Sequence, residues 1–111
     1  MKNNNTQIIS SCGNVFADIG LPNPEELAIK SQIVIKIKDE MELRGLTQKE
    51  AATIIGVPQP RLSKILRGQF LNVSESKLLH CLNKLGFDIQ IKIAKKSKKN
   101  IIGHTSLTFS R

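Results

Sequence analysis

Between Leu46 and Gly68 the chain reads LTQKEAATIIGVPQPRLSKILRG, and few folds accommodate that order of residues. Thr47 and Glu50 stand three apart. At that spacing the hydroxyl accepts the N–H of Glu50 while the carboxylate reaches back to the N–H of Thr47, so a helix is predicted to begin there. Small Ala51 and Ala52 let a second helix cross close by, and Ile54 and Ile55 are expected toward the core side. Gly56 falls where the chain must leave the helix with φ > 0. After a short turn, Pro60 is predicted at the first helical position, where its missing N–H costs nothing. Leu62, Ile65 and Leu66 then recur at helical spacing on one side. The opposite arc carries Ser63, Lys64 and Arg67, with Gln59 and Arg61 at its margins.

Two short helices joined by a Gly-containing turn form a helix-turn-helix pattern. The competing reading is a surface helical corner with solvated charges, but the glycine, alanine and apolar positions all agree with the helix-turn-helix offsets. A helix that is apolar on one side and cationic on the other suits the major groove. Gln can make two hydrogen bonds to adenine and Arg two to guanine, whereas Lys is equally suited to phosphate. Gln48, opening the preceding helix, can hold a phosphate through its side-chain amide and the helix N-terminus.

The charge distribution agrees. The 111 residues carry 17 Lys and Arg against 9 Asp and Glu, a formal net charge of +8. Residues 1–46 hold five cations against six acids, residues 47–86 six against two, and residues 87–111 six against one. The positive field begins at the helix-turn-helix, which favours a polyanion and salt-sensitive binding. With four Phe and neither Trp nor Tyr, Ile and Leu must supply the core of one small domain. The shortage of aromatics removes the stacking platforms of single-stranded RNA binders, so double-stranded DNA is the expected polyanion.

Cys12 and Cys81 lie far apart, without a CxxC pair or a Cys/His cluster, and read as reduced thiols, Cys81 in a helix core. No metal or other cofactor is expected. His80 and His104 lack companions for a metal set or a catalytic triad, and no phosphate-cradling glycine loop occurs, so the chain reads as a binding protein rather than an enzyme. There is no apolar run near 18 residues and no charged-then-apolar leader in MKNNNTQ. A cytoplasmic protein without membrane contact is expected.

Three regions are anticipated. Residues 1–22 form a loose N-terminal segment whose Val15, Phe16, Ile19 and Leu21 either cover the domain's own core or bind a partner. Residues 23–94 form the helix-turn-helix domain. It opens at Asn23-Pro24-Glu25-Glu26, with a cap, a proline and acids at the positive end of the dipole. That helix should reach about Arg44, before Gly45. Its stripe of Leu27, Ile29, Ile33, Val34, Ile37, Met41 and Leu43 is wider than one small core needs, with Ile35 outside it. Ser74 should cap a further helix reaching about Leu85, with Leu78, Leu79, Leu82 and Leu85 inward and Gly86 as its stop. Phe87, Ile89, Ile91 and Ile93 alternate strictly with polar residues, which predicts a half-buried strand. A lone strand must pair with something, and its equivalent in a second copy is the most economical partner. Two recognition helices related by that two-fold axis would meet major grooves about 34 Å apart on a near-palindromic site. Residues 95–111 form a basic tail in which Lys95, Lys96, Lys98 and Lys99 add phosphate attraction without reading sequence. Its last part fits either a weak strand or disorder.

Taken together, the tail Ser11 to Leu21, the opening Pro22 to Glu26, the Gln59-Pro60-Arg61 entry and the Leu85-Gly86-Phe87-Asp88 junction resemble the Xre/Cro-type helix-turn-helix proteins. More narrowly they resemble the small antitoxins of the HigA type, over about residues 11–94. The resemblance implies a mainly α, Cro/lambda-repressor-like helical fold. It also implies homodimerisation, repression of the protein's own operon and neutralisation of a RelE/HigB-like ribonuclease toxin. By position, Gln48, Gln59, Pro60, Arg61 and Lys64 occupy places that face DNA in such repressors. Pro58 departs from the pattern, since many relatives carry a hydroxyl residue there to cap the recognition helix, and the Lys-rich C-terminus does not map onto the family. The alternative is a stand-alone phage-like or host regulator without a toxin, in which the wide stripe is only core and dimer interface.

Overall fold

A computed structural model describes residues 24–95 and 102–110, and four helices follow one another along it. Helix α1 spans Pro24–Arg44, α2 Gln48–Ile55, α3 Gln59–Leu66 and α4 Glu75–Lys84. α1 begins at the proline of the opening signature, carries Glu25 and Glu26 in its first turn, and ends before Gly45 at φ 66°. The terminal carbonyls there are taken up by the turn, with the Leu46 N–H donating to Met41 at 2.8 Å.

The core is aliphatic, as the composition requires. Ile33 and Ile37 of α1, Leu62 of α3, Leu78 of α4 and Leu85 just beyond it are the large side chains most fully removed from water. α1 packs chiefly on α4, and the α2–α3 pair closes against both. Phe70 and Val73, in the connection between α3 and α4, complete the buried cluster. Arg44 reaches over the end of this core, donating to the Leu85 carbonyl while its Nε holds Glu40 at 2.7 Å. The wide stripe on α1 is only partly used: Ile29, Ile33, Val34, Ile37 and Met41 are buried, whereas Leu27 and Leu43 remain exposed, as does Ile35 outside the stripe.

Three sequence expectations are corrected. Ile54 faces outward, 39% exposed, while its neighbour Ile55 is buried; at about 100° per residue Ala51, Ile55 and Ala52 share a buried arc about 100° wide, and Ile54 falls about 60° outside it. α3 starts one residue early, at Gln59, with Pro58 at the capping position and Pro60 one place inside. The proline is still tolerated, because the first-turn N–H groups have no intrahelical partner. The predicted strand at Phe87–Ile93 is absent: no strand occurs among the described residues. Phe87 and Ile89 are half-buried against the core, whereas Ile91 and Ile93 are 80% and 91% exposed. An alternating pattern supplies two faces, but a strand exists only where a second one completes its hydrogen bonds.

Residues 102–110 carry no regular structure, yet they return to α1. Glu25 accepts from the Thr105 N–H at 2.9 Å and meets His104 Nδ1 at 2.6 Å, contacts that hold its carboxyl below the usual carboxylate range. Leu107 packs on the core beside Leu79, Phe87 and Ile89. The N-terminal residues proposed for partner binding, Val15, Phe16, Ile19 and Leu21, lie outside the described residues, as do Lys96, Lys98 and Lys99.

Candidate nucleic-acid interface

The candidate interface is formed by α2, the turn after it, and α3. Thr47 caps α2 through the reciprocal arrangement its spacing predicts. Its hydroxyl accepts from the Glu50 N–H at 3.1 Å, and Glu50 Oε1 accepts from the Thr47 N–H at 2.9 Å. Gly56 closes α2 at φ 89°, donating to the Ala52 carbonyl, and Val57 donates to the same carbonyl. Buried Ala51 and Ala52 permit the close crossing with α3. α2 is therefore set at both ends by local bonds.

α3 is sealed from beneath by Leu62, Ile65 and Leu66, all buried. That burial fixes the rotation of the helix about its axis, and so turns Gln59, Arg61, Lys64 and Arg67 outward, where all four are exposed. Ser63, half-buried at the margin, accepts from Arg67 Nη1 at 2.8 Å. The guanidinium of Arg67 is thereby held along the helix, one turn from its own position, while Arg61 and Lys64 are exposed on the same helix. Pro60 is exposed at the helix start. No side chain caps α3, because Pro58 lacks the hydroxyl group that would do so.

Gln48 stands at the first position of α2, and its Oε1 accepts from Gln59 Nε2 at 3.4 Å. The two amides, eleven residues apart, meet across the turn. A glutamine whose Oε1 is engaged keeps its own NH2 for an acceptor, and a glutamine that donates once still has a carbonyl oxygen and one N–H to offer. The pair thus presents donors and acceptors side by side at the entry of the cationic helix, groups of the kind that a base edge takes up. The sequence does not announce the Gln48–Gln59 contact, which depends on the angle between helices.

Two further residues escaped sequence reasoning. Lys30, buried at 3% exposure, bonds the Leu71 carbonyl at 3.2 Å and pairs with Glu26 at 3.2 Å. It ties the segment leaving the recognition helix to α1. Lys36 lies 5.3 Å from the Phe87 ring centre and 5.2 Å from that of Phe109, a cation shared by two aromatic faces. The Glu26–Lys30 spacing is local, but Leu71 and the two aromatic rings reach these lysines only through the tertiary fold. Among the described residues no group of His, Cys, Asp or Glu could hold a metal ion, and no helix is long and apolar enough to cross a membrane.

Comparison with known proteins agrees with this geometry. No curated protein matches the chain. A solved structure described as an XRE-family transcriptional regulator is similar to it, with a TM-score of 0.71 and 26% sequence identity, over 78% of this chain and 97% of that one. The family model for the helix-turn-helix domain matches residues 15–94. That match spans both helices of the motif and the core that orients them, so this chain belongs to the helix-turn-helix domain family and has an XRE-type fold.

Proposed function

We propose that this protein is a sequence-specific DNA-binding transcriptional repressor. The observation that carries the reading is the outward disposition of Arg61 and Lys64 on a helix whose other side is fully sealed. Gln59 and Arg61 read base edges from the N-terminal half of α3, with Pro60 letting the backbone approach. Lys64, Arg67 and Ser63 hold the flanking phosphates, and Gln48 fixes both Gln59 and the backbone at the start of α2. The cationic surplus of residues 47–86 supplies the sequence-independent part of the affinity. No step of this reading calls for catalysis or a cofactor.

The protein acts as a homodimer on a two-fold symmetric operator, with Phe87, Ile89, Ile91 and Ile93 at the contact between copies. Two observations support this. Ile91 and Ile93 are exposed aliphatic side chains in a stretch without regular structure, and Phe87 and Ile89 in the same alternation already touch the core. An antiparallel pairing of two such stretches would satisfy backbone groups and cover both isoleucines. At the finest level the repressor is the antitoxin of a RelE/HigB-like ribonuclease, held through Val15, Phe16, Ile19 and Leu21. What supports that reading is the resemblance of the N-terminal segment and the apolar side chains Leu27 and Ile35 left open on α1.

Footprinting on the DNA upstream of the protein's own gene tests all three levels. Protection of two half-sites on successive major grooves is expected, altered by the product of an adjacent gene. Replacing Gln59 or Arg61 by Ala should each weaken operator binding by about 1–3 kcal/mol at matched salt. Unchanged affinity in both variants would show that the reading face is elsewhere. Protection indifferent to every neighbouring gene product would leave a stand-alone regulator.

A further inference from the structure

We propose that residues 102–110 form a latch on α1 that competes, within one chain, with the pairing of two copies. The inference rests on the dimer contact proposed above. The family match ends at residue 94, yet the chain beyond it is seated at three points. At the first turn of α1, both carboxylate oxygens of Glu25 are engaged, one by His104 Nδ1 at 2.6 Å and the other by the Thr105 N–H at 2.9 Å. Three turns further along the same helix, Lys36 stands between Phe109 and Phe87. Between these points Leu107 packs against the core and lines one groove together with Leu79, Leu82, Phe87 and Ile89.

The seat coincides with the surface needed for pairing. In an antiparallel ribbon with its two-fold axis at Gln90, Phe87 would lie opposite the partner's Ile93 and Ile89 opposite the partner's Ile91. Leu107 and Phe109 already cover the ground beside Phe87 and Ile89, so closing the latch and laying the partner's isoleucines there draw on the same apolar surface. The hold is also weak enough to yield. His104 is 71% exposed and Phe109 47% exposed, and an exposed ion pair contributes little to stability. Opening the latch frees Phe87 and Ile89 for the second copy, and dimerisation displaces residues 102–110.

The test uses the full chain with Glu25→Ala, which removes both acceptor oxygens, and, separately, His104→Ala, which leaves α1 untouched. Amide exchange at Thr105 reports the clasp, and sedimentation equilibrium reports self-association. Both substitutions should speed Thr105 exchange and tighten self-association at least threefold. Faster exchange with an unchanged or weaker dimer overturns the competition, and unchanged Thr105 exchange overturns the clasp itself. If the parent and both variants stay monomeric at every concentration, the two-copy pairing fails and takes the competition with it.

Discussion

Lys30 shows how much a single side chain can fix in a core this small. A buried ammonium is expensive unless its protons are used, and here they go to the Leu71 carbonyl and the Glu26 carboxylate. The bond to Leu71 spans 41 residues and anchors the connection that follows the recognition helix. Lys30→Ala removes that anchor and leaves a space beside the carbonyl, so a loss of about 2 kcal/mol is expected in urea unfolding. Because the pinned segment directly follows α3, operator affinity should fall more than at other buried positions of equal cost. Cys81 behaves in the opposite way, as an inert filler. Burial pushes its thiol above the ordinary range, since the apolar surroundings penalise the thiolate. In a Cys12→Ser background, alkylation of Cys81 should therefore stay slow in the native protein through mildly alkaline pH and accelerate sharply on unfolding. Rapid labelling of the folded protein would contradict that packing.

At the scale of elements, the two motif helices are specified unequally. α2 has a complete capping box and a left-handed glycine at its end, whereas α3 has no side-chain cap at its start. α3 must therefore take most of its stability from Leu62, Ile65 and Leu66. Two measurements separate these contributions. Thr47→Ala should cost about 1 kcal/mol through the lost cap. Leu62→Ala should cost about 2–5 kcal/mol, because it empties a site with no exposure at all. Equal costs would mean that α3 is held by local structure after all. This division also explains what could be read in advance. Caps, glycine stops and apolar spacing are local signals, and they placed four helices within a residue or so of their bounds. Ile54 was misassigned because two turns offer too few residues to distinguish adjacent faces. The stretch at Phe87–Ile93 has the alternation of a strand, but alternation does not name the chain that completes it. The Gln48–Gln59 pair and the Glu25 clasp were hidden for the same reason: each joins segments whose approach is set by the packed core and not by either segment.

Across the whole molecule, charge and reading chemistry are separated. The face of α3 that would discriminate bases holds only Gln59 and Arg61 at its entry, while most cations lie elsewhere, six of them against one acid within residues 87–111. Sequence discrimination and overall affinity should therefore be separable by mutation. Lys64→Ala should reduce the slope of log affinity against log salt by about 1 and weaken operator and random DNA alike, because a phosphate contact carries no sequence information. Replacing Lys95, Lys96, Lys98 and Lys99 together by Gln should lower that slope further, leaving the ratio of operator to random affinity unchanged. Arg61→Ala should instead compress the ratio, since its loss falls on the cognate site alone. Salt titrations of all three variants on both DNAs decide the matter. If the lysine replacement alters the ratio, the C-terminal cations take part in reading the operator, and specificity is spread beyond the helix-turn-helix.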